Sequence, residues 1–152
     1  MKIKVGYPTR EEELEIMRRM ARTGEKTKIK EVVSPEQILE ARKVLNALYI
    51  DDRVEQYIVD LVVASREPEQ VGLGVLKPLI EYGASPRATI NLNLAARAHA
   101  FLQHRAYITP EDVRSIAMDV LRHRIAVTYE AEAEEISSED IVQRILDTVE
   151  VP

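Results

Sequence analysis

The sequence predicts an all-α protein, a small helical bundle of about six helices with a minor peripheral strand pair. Five glycines, six tyrosines, one phenylalanine and no tryptophan leave leucine, isoleucine, valine and alanine to build the core, which is more typical of packed helices than of sheets. Apolar residues recur at helical spacing, and each such run follows a Ser, Thr or Asp with acidic or amide residues after it. A length of 152 residues indicates one domain.

The first two predicted helices begin with capping-box spacing. In this arrangement a hydroxyl residue and an acid or amide three positions later each accept a hydrogen bond from the other's backbone N–H. Thr9 with Glu12 opens a helix that we expect to run to about Ala21. Ser34 with Gln37 opens the second helix.

Four more helices follow. Asp51 and Asp52 open the third, which we expect to end near Pro68 because proline breaks a helix. The fourth, residues 86–104, is the longest predicted element, roughly 28 Å at the usual rise per residue. Hydroxyl residues followed by acids mark the fifth and sixth starts: Thr109, Pro110 and Asp112, then Ser137 or Ser138 with Asp140.

Three short segments alternate between apolar and polar residues, as strands do: Ile3–Val5, Ile29–Val33 and Ile125–Tyr129. We expect them to form a small sheet at one edge of the bundle. The connections are the segment 22–33, a turn at Gly72 and Gly74, and the segment 122–135, whose acidic run EAEAEE we expect to be a solvated loop.

The composition of the chain excludes several classes of function. The charged residues, 31% of the chain, are mixed in sign with a net charge of −5, which does not indicate a general nucleic-acid-binding surface. The absence of cysteine excludes disulfides, thiol catalysis and cysteine-based zinc sites, and fits a reducing compartment. No apolar run approaches the roughly 20 residues of a membrane helix. We therefore expect a cytoplasmic protein without a membrane span.

The stretch GASPRATI, residues 83–90, begins the fourth helix in an unusual way. Ser85 stands at the N-cap position and Pro86 in the first turn, where both residue types are favoured. The other predicted helix starts place acidic or hydrogen-bonding side chains at the positive end of the helix dipole. This one has no acid and carries Arg87 instead, an unfavourable arrangement by about 0.3 to 1 kcal/mol.

Arg87 shares a helical stripe with apolar residues, so we expect it to face inward or along a groove: Ile90, Leu94, Ala98 and Phe101. A guanidinium beside free helix N–H groups is an anion receptor suited to phosphate oxygens. The alternative is a surface side chain, or a partner for a glutamate elsewhere in the fold. Arg97, at the edge of the same stripe, shows that this helix tolerates arginine without a ligand.

The chain resembles a known family in three runs: GYPTREEELEIMRRM, VVSPEQILEARKVLNALYIDDRVEQYIVDLVVASR, and a third from LIEYGASPRATI to IVQRIL. The most specific parts are EYGASPRA and YITPEDV followed by LRHRI. These are similar to the C-terminal lid subdomain of the MoxR family of AAA+ ATPases. The resemblance covers nearly the entire chain.

The resemblance implies a role for Arg87. In the family, the arginine of the GASPR motif is the sensor 2 residue, which reaches from the lid onto the terminal phosphates of ATP held by the preceding core. An arginine on a movable lid would couple the nucleotide state to the angle between the domains. The resemblance also implies that Ala88, in the same first turn, lies near the adenine base.

The resemblance further divides the chain into residues 1–8, a remnant of the interdomain linker, and residues 9–152, the lid. It implies that Gly6, Tyr7 and Pro8 lie close to the adenine.

The chain contains no G-x-x-x-x-G-K-[ST] phosphate loop and no strand ending in acidic residues that would hold Mg²⁺. We therefore expect the family's ATPase core to precede residue 1. We also expect the parent protein to hydrolyse ATP with Mg²⁺. This chain alone is expected to bind no cofactor tightly and not to hydrolyse ATP. The expected partners are the chain's own N-terminal AAA+ core, further copies in a ring and a von Willebrand factor A domain protein, acting in chaperone-like remodelling.

Two other classes of function stay open: a helical protein-interaction or adaptor module, and a helix-turn-helix DNA-binding module. Cations near the fifth helix favour the second: Arg114, Arg122, His123 and Arg124. The neighbouring acids count against it: Glu111, Asp112 and Asp119. We therefore expect no nucleic-acid partner. We expect structural roles for the histidines and no metal, because His99 and His104 are five residues apart and do not share one helix face.

Overall fold

A computed structural model of the chain describes residues 1–21, 23 and 29–152. Within these ranges the α-helices are α1 (Arg10–Met20), α2 (Pro35–Ala47), α3 (Asp52–Ala64), α4 (Pro86–Leu102), α5 (Pro110–Leu121), α6 (Tyr129–Ala133) and α7 (Ser138–Thr148). Two 3₁₀ helices, Pro68–Val71 and Gly74–Leu79, lie between α3 and α4. The strands β1 (Ile80–Tyr82) and β2 (Ala126–Val127) pair antiparallel. The predicted all-α class with a minor strand pair is confirmed, and the predicted connection 22–33 lies partly outside the described residues.

The hydrophobic core joins α3, α4, α5 and α7. α3 contributes its largest buried side chains, Tyr57, Ile58 and Leu61, and α7 contributes Ile141 and Ile145. α4 packs most extensively against α5. Its buried stripe repeats every four residues and consists mainly of alanine, which allows a neighbouring helix to approach closely: Ala88, Leu92, Ala96 and Ala100.

The predicted helix starts are found where expected. Capping boxes open α1, α2 and α7, at the pairs Thr9–Glu12, Ser34–Gln37 and Ser137–Asp140. Asp51 caps α3 by accepting a hydrogen bond from the backbone N–H of Arg53 at 3.0 Å. α4 ends at Leu102, two residues before the predicted end, because His104 takes a left-handed backbone with φ of 57°.

Two of the three predicted strands are wrong. Residues 3–5 and 29–33 are not strands, and Ile3 and Ile29 are exposed. Alternation of apolar and polar residues indicates a strand only where a second strand supplies backbone partners. The third prediction is correct at Ala126–Val127, whose partner, Ile80–Tyr82, is too short to be recognised from its pattern.

The acidic run after β2 is not the predicted loop. Thr128 ends the strand segment and caps α6, by accepting a hydrogen bond from the N–H of Ala131 at 3.3 Å. Ala131 is fully buried, while the glutamates around it are exposed. One buried alanine in a five-residue helix is too weak a periodic signal to distinguish it from a loop.

α1 and α2 differ from the other α-helices in having no buried residue. α2 is held to α4 by Arg97, whose Nη1 donates to the carbonyl oxygen of Leu48 at 2.7 Å. The segment before α1 is held by Lys2, whose N–H donates to Asp119 O at 2.7 Å, and by Lys4, which pairs with Glu139 at 3.1 Å. The body of the fold therefore runs from Leu48 onward, with α1 and α2 on its outside.

Candidate functional site

The start of α4 lacks the stabilising groups found at the other helix starts. Ser85 has the extended backbone of an N-cap, but its side chain accepts no capping hydrogen bond, and the first turn contains no acid. Each other α-helix in the described ranges has at least one acidic residue in its first turn. The positive end of the α4 dipole is therefore uncompensated by its own side chains, as the sequence indicated.

Arg87 lies in this first turn and is exposed. Within the described residues its guanidinium makes no hydrogen bond and no ion pair. Most other arginines between residues 75 and 145 are bonded to internal acceptors: Arg97, Arg105, Arg114, Arg122 and Arg124. The exception besides Arg87 is Arg144, which is exposed on α7. Among the described residues, Arg87 is thus an exposed cation of the α4 start without an internal acceptor.

Of the two directions predicted for the stripe of Arg87, inward is wrong at Ile90 and Leu94, and along a groove is confirmed there. Ile90 is 59% exposed and Leu94 is 55% exposed, because the buried side of α4 is the neighbouring alanine stripe. Both stripes are apolar, so periodicity alone does not decide between them. Ile90 and Leu94 instead line an open groove of about 340 Å³ with Val59 of α3.

The loop before α4 is fixed by the end of α3. The buried hydroxyl of Ser65 accepts a hydrogen bond from the N–H of Ala84 at 2.9 Å, and Arg66 Nη1 donates to the carbonyl oxygen of Ala84 at 2.7 Å. A Cβ on Gly83 would lie 2.3 Å from the carbonyl oxygen of Ser65. The sequence gives no signal for Ser65 and Arg66, because 18 or 19 residues separate them from Ala84 and no local pattern connects them.

The other predicted nucleotide-site residues are placed differently. Gly6, Tyr7 and Pro8 are exposed and line an open cleft of about 450 Å³ with side chains of α1. Ala88 is fully buried in the core, and its N–H donates to Ser85 O at 2.8 Å. The lining of the cleft includes neither Arg87 nor Ala88.

Asp112 forms a second polar cluster that sequence analysis did not identify. Its buried carboxylate is paired with Arg105, at 2.7 Å from Nη1 to Oδ2, and His99 Nδ1 lies 2.7 Å from Oδ1. The N–H of Thr109 donates to it at 2.8 Å. Burial alone would raise the pKa of Asp112, but the hydrogen bonds from Arg105, Thr109 and His99 hold that pKa well below its usual range. The cluster joins the end of α4 to the start of α5.

The three arginines that favoured a DNA-binding module are bonded to groups of the fold. Each arginine has an internal acceptor: the carbonyl oxygen of Leu146 for Arg114, the carboxylate of Asp119 for Arg122 and the carbonyl oxygen of Val120 for Arg124. Burial and the charge of Arg124 lower the pKa of His123, which disfavours the charged form of its ring. Groups bonded in this way are poorly placed to contact DNA phosphates.

The histidines show no arrangement for a metal. In the described ranges, no three side chains of histidine, aspartate or glutamate come together as a metal site requires. His99 is bonded to Asp112, which gives it a structural partner.

Outside the undescribed positions 22 and 24–28, the chain has no helix with the length and apolar character to cross a bilayer.

The part of the chain that contains the α4 start matches a known protein family. Residues 75–145 match the model of the AAA lid domain. The chain is 40% identical over 151 residues to Chaperone MoxR1 of Mycobacterium tuberculosis, covering 99% of this chain and 40% of that protein. It is 32% identical over 151 residues to the uncharacterised protein YeaC of Bacillus subtilis, covering 99% of this chain and 44% of that protein. The chain thus spans less than half the length of these relatives.

A solved structure agrees with these sequence matches. The crystal structure of a "putative ATPase" from Cytophaga hutchinsonii matches the whole chain with a TM-score of 0.94 and 43% sequence identity. The match covers 46% of that chain. With the lid-domain match and the MoxR relatives, this agreement confirms the predicted resemblance: the chain is an AAA lid domain of the MoxR family of AAA+ ATPases.

Proposed function

We propose that this chain is the lid of a MoxR-type AAA+ ATPase and that Arg87 is its sensor 2 arginine, which contacts the terminal phosphates of ATP. One observation carries the proposal. Arg87 is an exposed arginine without an internal partner among the described residues, at a helix start that has neither a side-chain cap nor an acid. That helix start lies within the part of the chain that matches the AAA lid domain.

A bound polyphosphate would remove both unfavourable features of the α4 start. The positive dipole end attracts an anion, and the planar guanidinium of Arg87 would donate two parallel hydrogen bonds to phosphate oxygens. As the terminal phosphoryl group is transferred, charge spreads over its oxygens, and a cation aimed at them lowers the barrier. A lid that supplies this cation does so only when closed, which links ATP hydrolysis to domain motion.

The rest of the nucleotide site would come from other parts of the protein. We assign residues 1–8 to the interdomain linker, with Gly6, Tyr7 and Pro8 beside the adenine, and residues 9–152 to the lid. The exposed ring of Tyr7 is suited to pack against a base. Because the side chain of Ala88 is buried, Ala88 would contribute through its backbone and by supporting the first turn of α4. The N-terminal AAA+ core would hold the phosphates and Mg²⁺.

ATP hydrolysis is therefore an activity of the intact protein, which contains both this lid and the AAA+ core. In that protein we propose a ring of copies, a von Willebrand factor A domain partner, a chaperone-like remodelling role and a cytoplasmic location. These assignments rest on the family to which the chain belongs. The chain contains no phosphate loop, so hydrolysis of ATP requires the core.

The test is the substitution Arg87→Ala in the intact ATPase that contains this lid. We expect kcat for ATP hydrolysis to fall by about 100-fold, the usual effect of removing one donor from charge developing in a transition state. The lid should keep its helical circular dichroism spectrum, because Arg87 is exposed. Steady-state turnover and circular dichroism of the same preparation provide both measurements.

Arg144→Ala is the matched control, since it also removes one exposed arginine from a helix of the lid. It should leave turnover within about twofold of the unsubstituted protein. If Arg87→Ala turns over ATP like Arg144→Ala, Arg87 has no role at the nucleotide. The exposed groove of Ile90 and Leu94 would then favour the protein-interaction alternative.

A further inference from the structure

The direction of Arg87 depends on a short loop. β1 ends at Tyr82 and α4 begins at Pro86, so residues 83–85 alone connect the sheet to the helix start. Ser85 makes no capping hydrogen bond that would fix this connection from within α4. Whatever holds the loop from outside therefore determines where the first turn of α4, and with it Arg87, is placed.

Side chains from the end of α3 hold both backbone polar groups of Ala84, three residues before Arg87. The hydroxyl of Ser65 accepts from the Ala84 N–H, and the guanidinium of Arg66 donates to the Ala84 carbonyl oxygen. Ala84 is fully buried, so neither group has water as a substitute partner. Losing either bond leaves a buried polar group unpaired.

The hydroxyl of Ser65 has a defined orientation. It donates its own proton to the carbonyl oxygen of Val62 at 2.6 Å, which leaves its lone pairs available to the Ala84 N–H. Ser65 is fully buried at the C-terminal end of α3. A hydroxyl that donates on one side and accepts on the other fixes the distance between the end of α3 and the loop.

Gly83 allows this close contact. Its backbone lies so near Ser65 that a Cβ would come within 2.3 Å of the Ser65 carbonyl oxygen and 2.8 Å of the Arg66 side chain. Its φ is not in the left-handed region, so close approach is the reason for the glycine. The loop is thus packed directly on the residues that bond to it.

We propose that Ser65 and Arg66 are positioning residues for Arg87: they fix the loop 83–85 against the end of α3 and so set the direction in which Arg87 leaves the lid. This inference rests on the proposed nucleotide role of Arg87. It explains how α4 begins without a cap: the side chains of Ser65 and Arg66 hold the backbone of the loop, and the positive end of the α4 dipole is left for an anion.

A double-mutant cycle in the intact ATPase tests the inference through turnover. Arg66→Ala should lower kcat for ATP by about tenfold, because a displaced donor loses most of its transition-state contact. Arg66→Lys, which keeps a donor, should recover part of the loss. Ser65→Ala should act in the same direction, and Arg53→Ala, at the opposite end of α3, is the arginine control that should change little.

The decisive comparison is the same set of substitutions in Arg87→Ala protein. Because Ser65 and Arg66 are proposed to act through Arg87, Arg66→Ala should there change kcat by less than about twofold. If Arg66→Ala lowers kcat by the same factor with and without Arg87→Ala, Arg66 supports the fold or another part of the site. That result would overturn the inference. Arg66 is exposed, so its substitution is compatible with folding even where Ser65→Ala is not.

A spin label separates this inference from the nucleotide role. The chain has no cysteine, so Arg87→Cys creates a single labelling site in the 152-residue chain. Its electron paramagnetic resonance spectrum should show greater nitroxide mobility when Arg66→Ala is added, and no change when Arg53→Ala is added. Equal mobility in all three proteins would overturn the positioning role, whatever the ATPase measurements show. If Arg66→Ala makes the label more mobile but Arg87→Ala leaves ATP turnover unchanged, only the nucleotide role is refuted.

Discussion

Arg87 and Arg105 lie at opposite ends of α4 and serve different purposes. Arg105 follows the helix and neutralises the buried carboxylate of Asp112, an interaction the fold requires because a buried charge without a partner is costly. Arg87 is exposed at the start of the helix, and no partner for it lies within the described residues. Arg105 therefore stabilises the fold, whereas Arg87, in our proposal, binds ATP.

Asp112→Asn should strongly destabilise the lid. The substitution leaves Arg105 and His99 beside a neutral amide in a buried place, and breaking a buried ion pair from one side costs about 3 to 5 kcal/mol. Urea denaturation followed by circular dichroism measures the loss. Asp119→Asn, which alters a partly exposed ion pair with Arg122, should cost less than about 1 kcal/mol. Similar midpoints for the two variants would contradict this account of the cluster.

The same carboxylate gives the lid a pH dependence. The pKa of Asp112 is lower in the folded chain than in the unfolded chain, so its stabilisation is complete above the unfolded value of about 4. As the pH falls below about 4, the unfolded state binds the proton more readily and the stabilisation is lost. The free energy of unfolding should therefore fall with pH in this range, and less steeply in Asp112→Asn.

At the scale of elements, α2 is attached mainly through polar contacts. It has no buried residue, and Arg97 of α4 donates to the carbonyl oxygens of Leu48 at 2.7 Å and Leu45 at 3.4 Å. These carbonyls lie at the C-terminal end of α2, where a cation also complements the helix dipole. The arginine that the sequence showed as tolerated without a ligand thus has a structural partner.

Arg97→Ala should loosen α2 without unfolding the core. Loss of hydrogen bonds from a charged group costs about 1.5 to 3 kcal/mol, so the amides of α2 should exchange roughly tenfold faster or more. Amides of α4 around Leu92 should keep their protection, because Leu92 is fully buried. Arg42→Ala, on the exposed surface of α2, is the control. Uniform acceleration across α2 and α4 would show that α2 belongs to the cooperative core.

The sequence was most informative where structure is local. Capping groups such as Thr9 with Glu12 and Ser137 with Asp140 act over three residues, so the helix starts could be read directly. The family could also be recognised from the run EYGASPRA and its neighbours, and the lid-domain match includes it.

Contacts between distant residues were not predictable from local patterns. β1 and β2 pair across more than 40 residues, the bonds between Ser65 and Ala84 span 19, and the Asp112 cluster joins two helices. The two apolar stripes of α4 differ in side-chain size rather than polarity, so only packing decided which one is buried. The sequence therefore identified Arg87, but it showed neither the exposure of this side chain nor the residues that hold the loop before it.

At the scale of the whole molecule, the chain spans less than half the length of its relatives. It spans 40% of MoxR1 and 46% of the solved Cytophaga chain. The lining of its N-terminal cleft does not include Arg87, and in our proposal a nucleotide that contacted both would hold the lid closed over the core. In that arrangement ATP would fix the angle between lid and core, and its hydrolysis would release it.

The most direct test of the central claim is a structure of the intact protein, lid and core together, with Mg²⁺ and a non-hydrolysable ATP analogue bound. The account predicts an Arg87 guanidinium nitrogen about 3 Å from an oxygen of the terminal phosphate, the distance of a charge-assisted hydrogen bond. A fully occupied nucleotide with Arg87 in solvent, or paired with a carboxylate of the core, would contradict it.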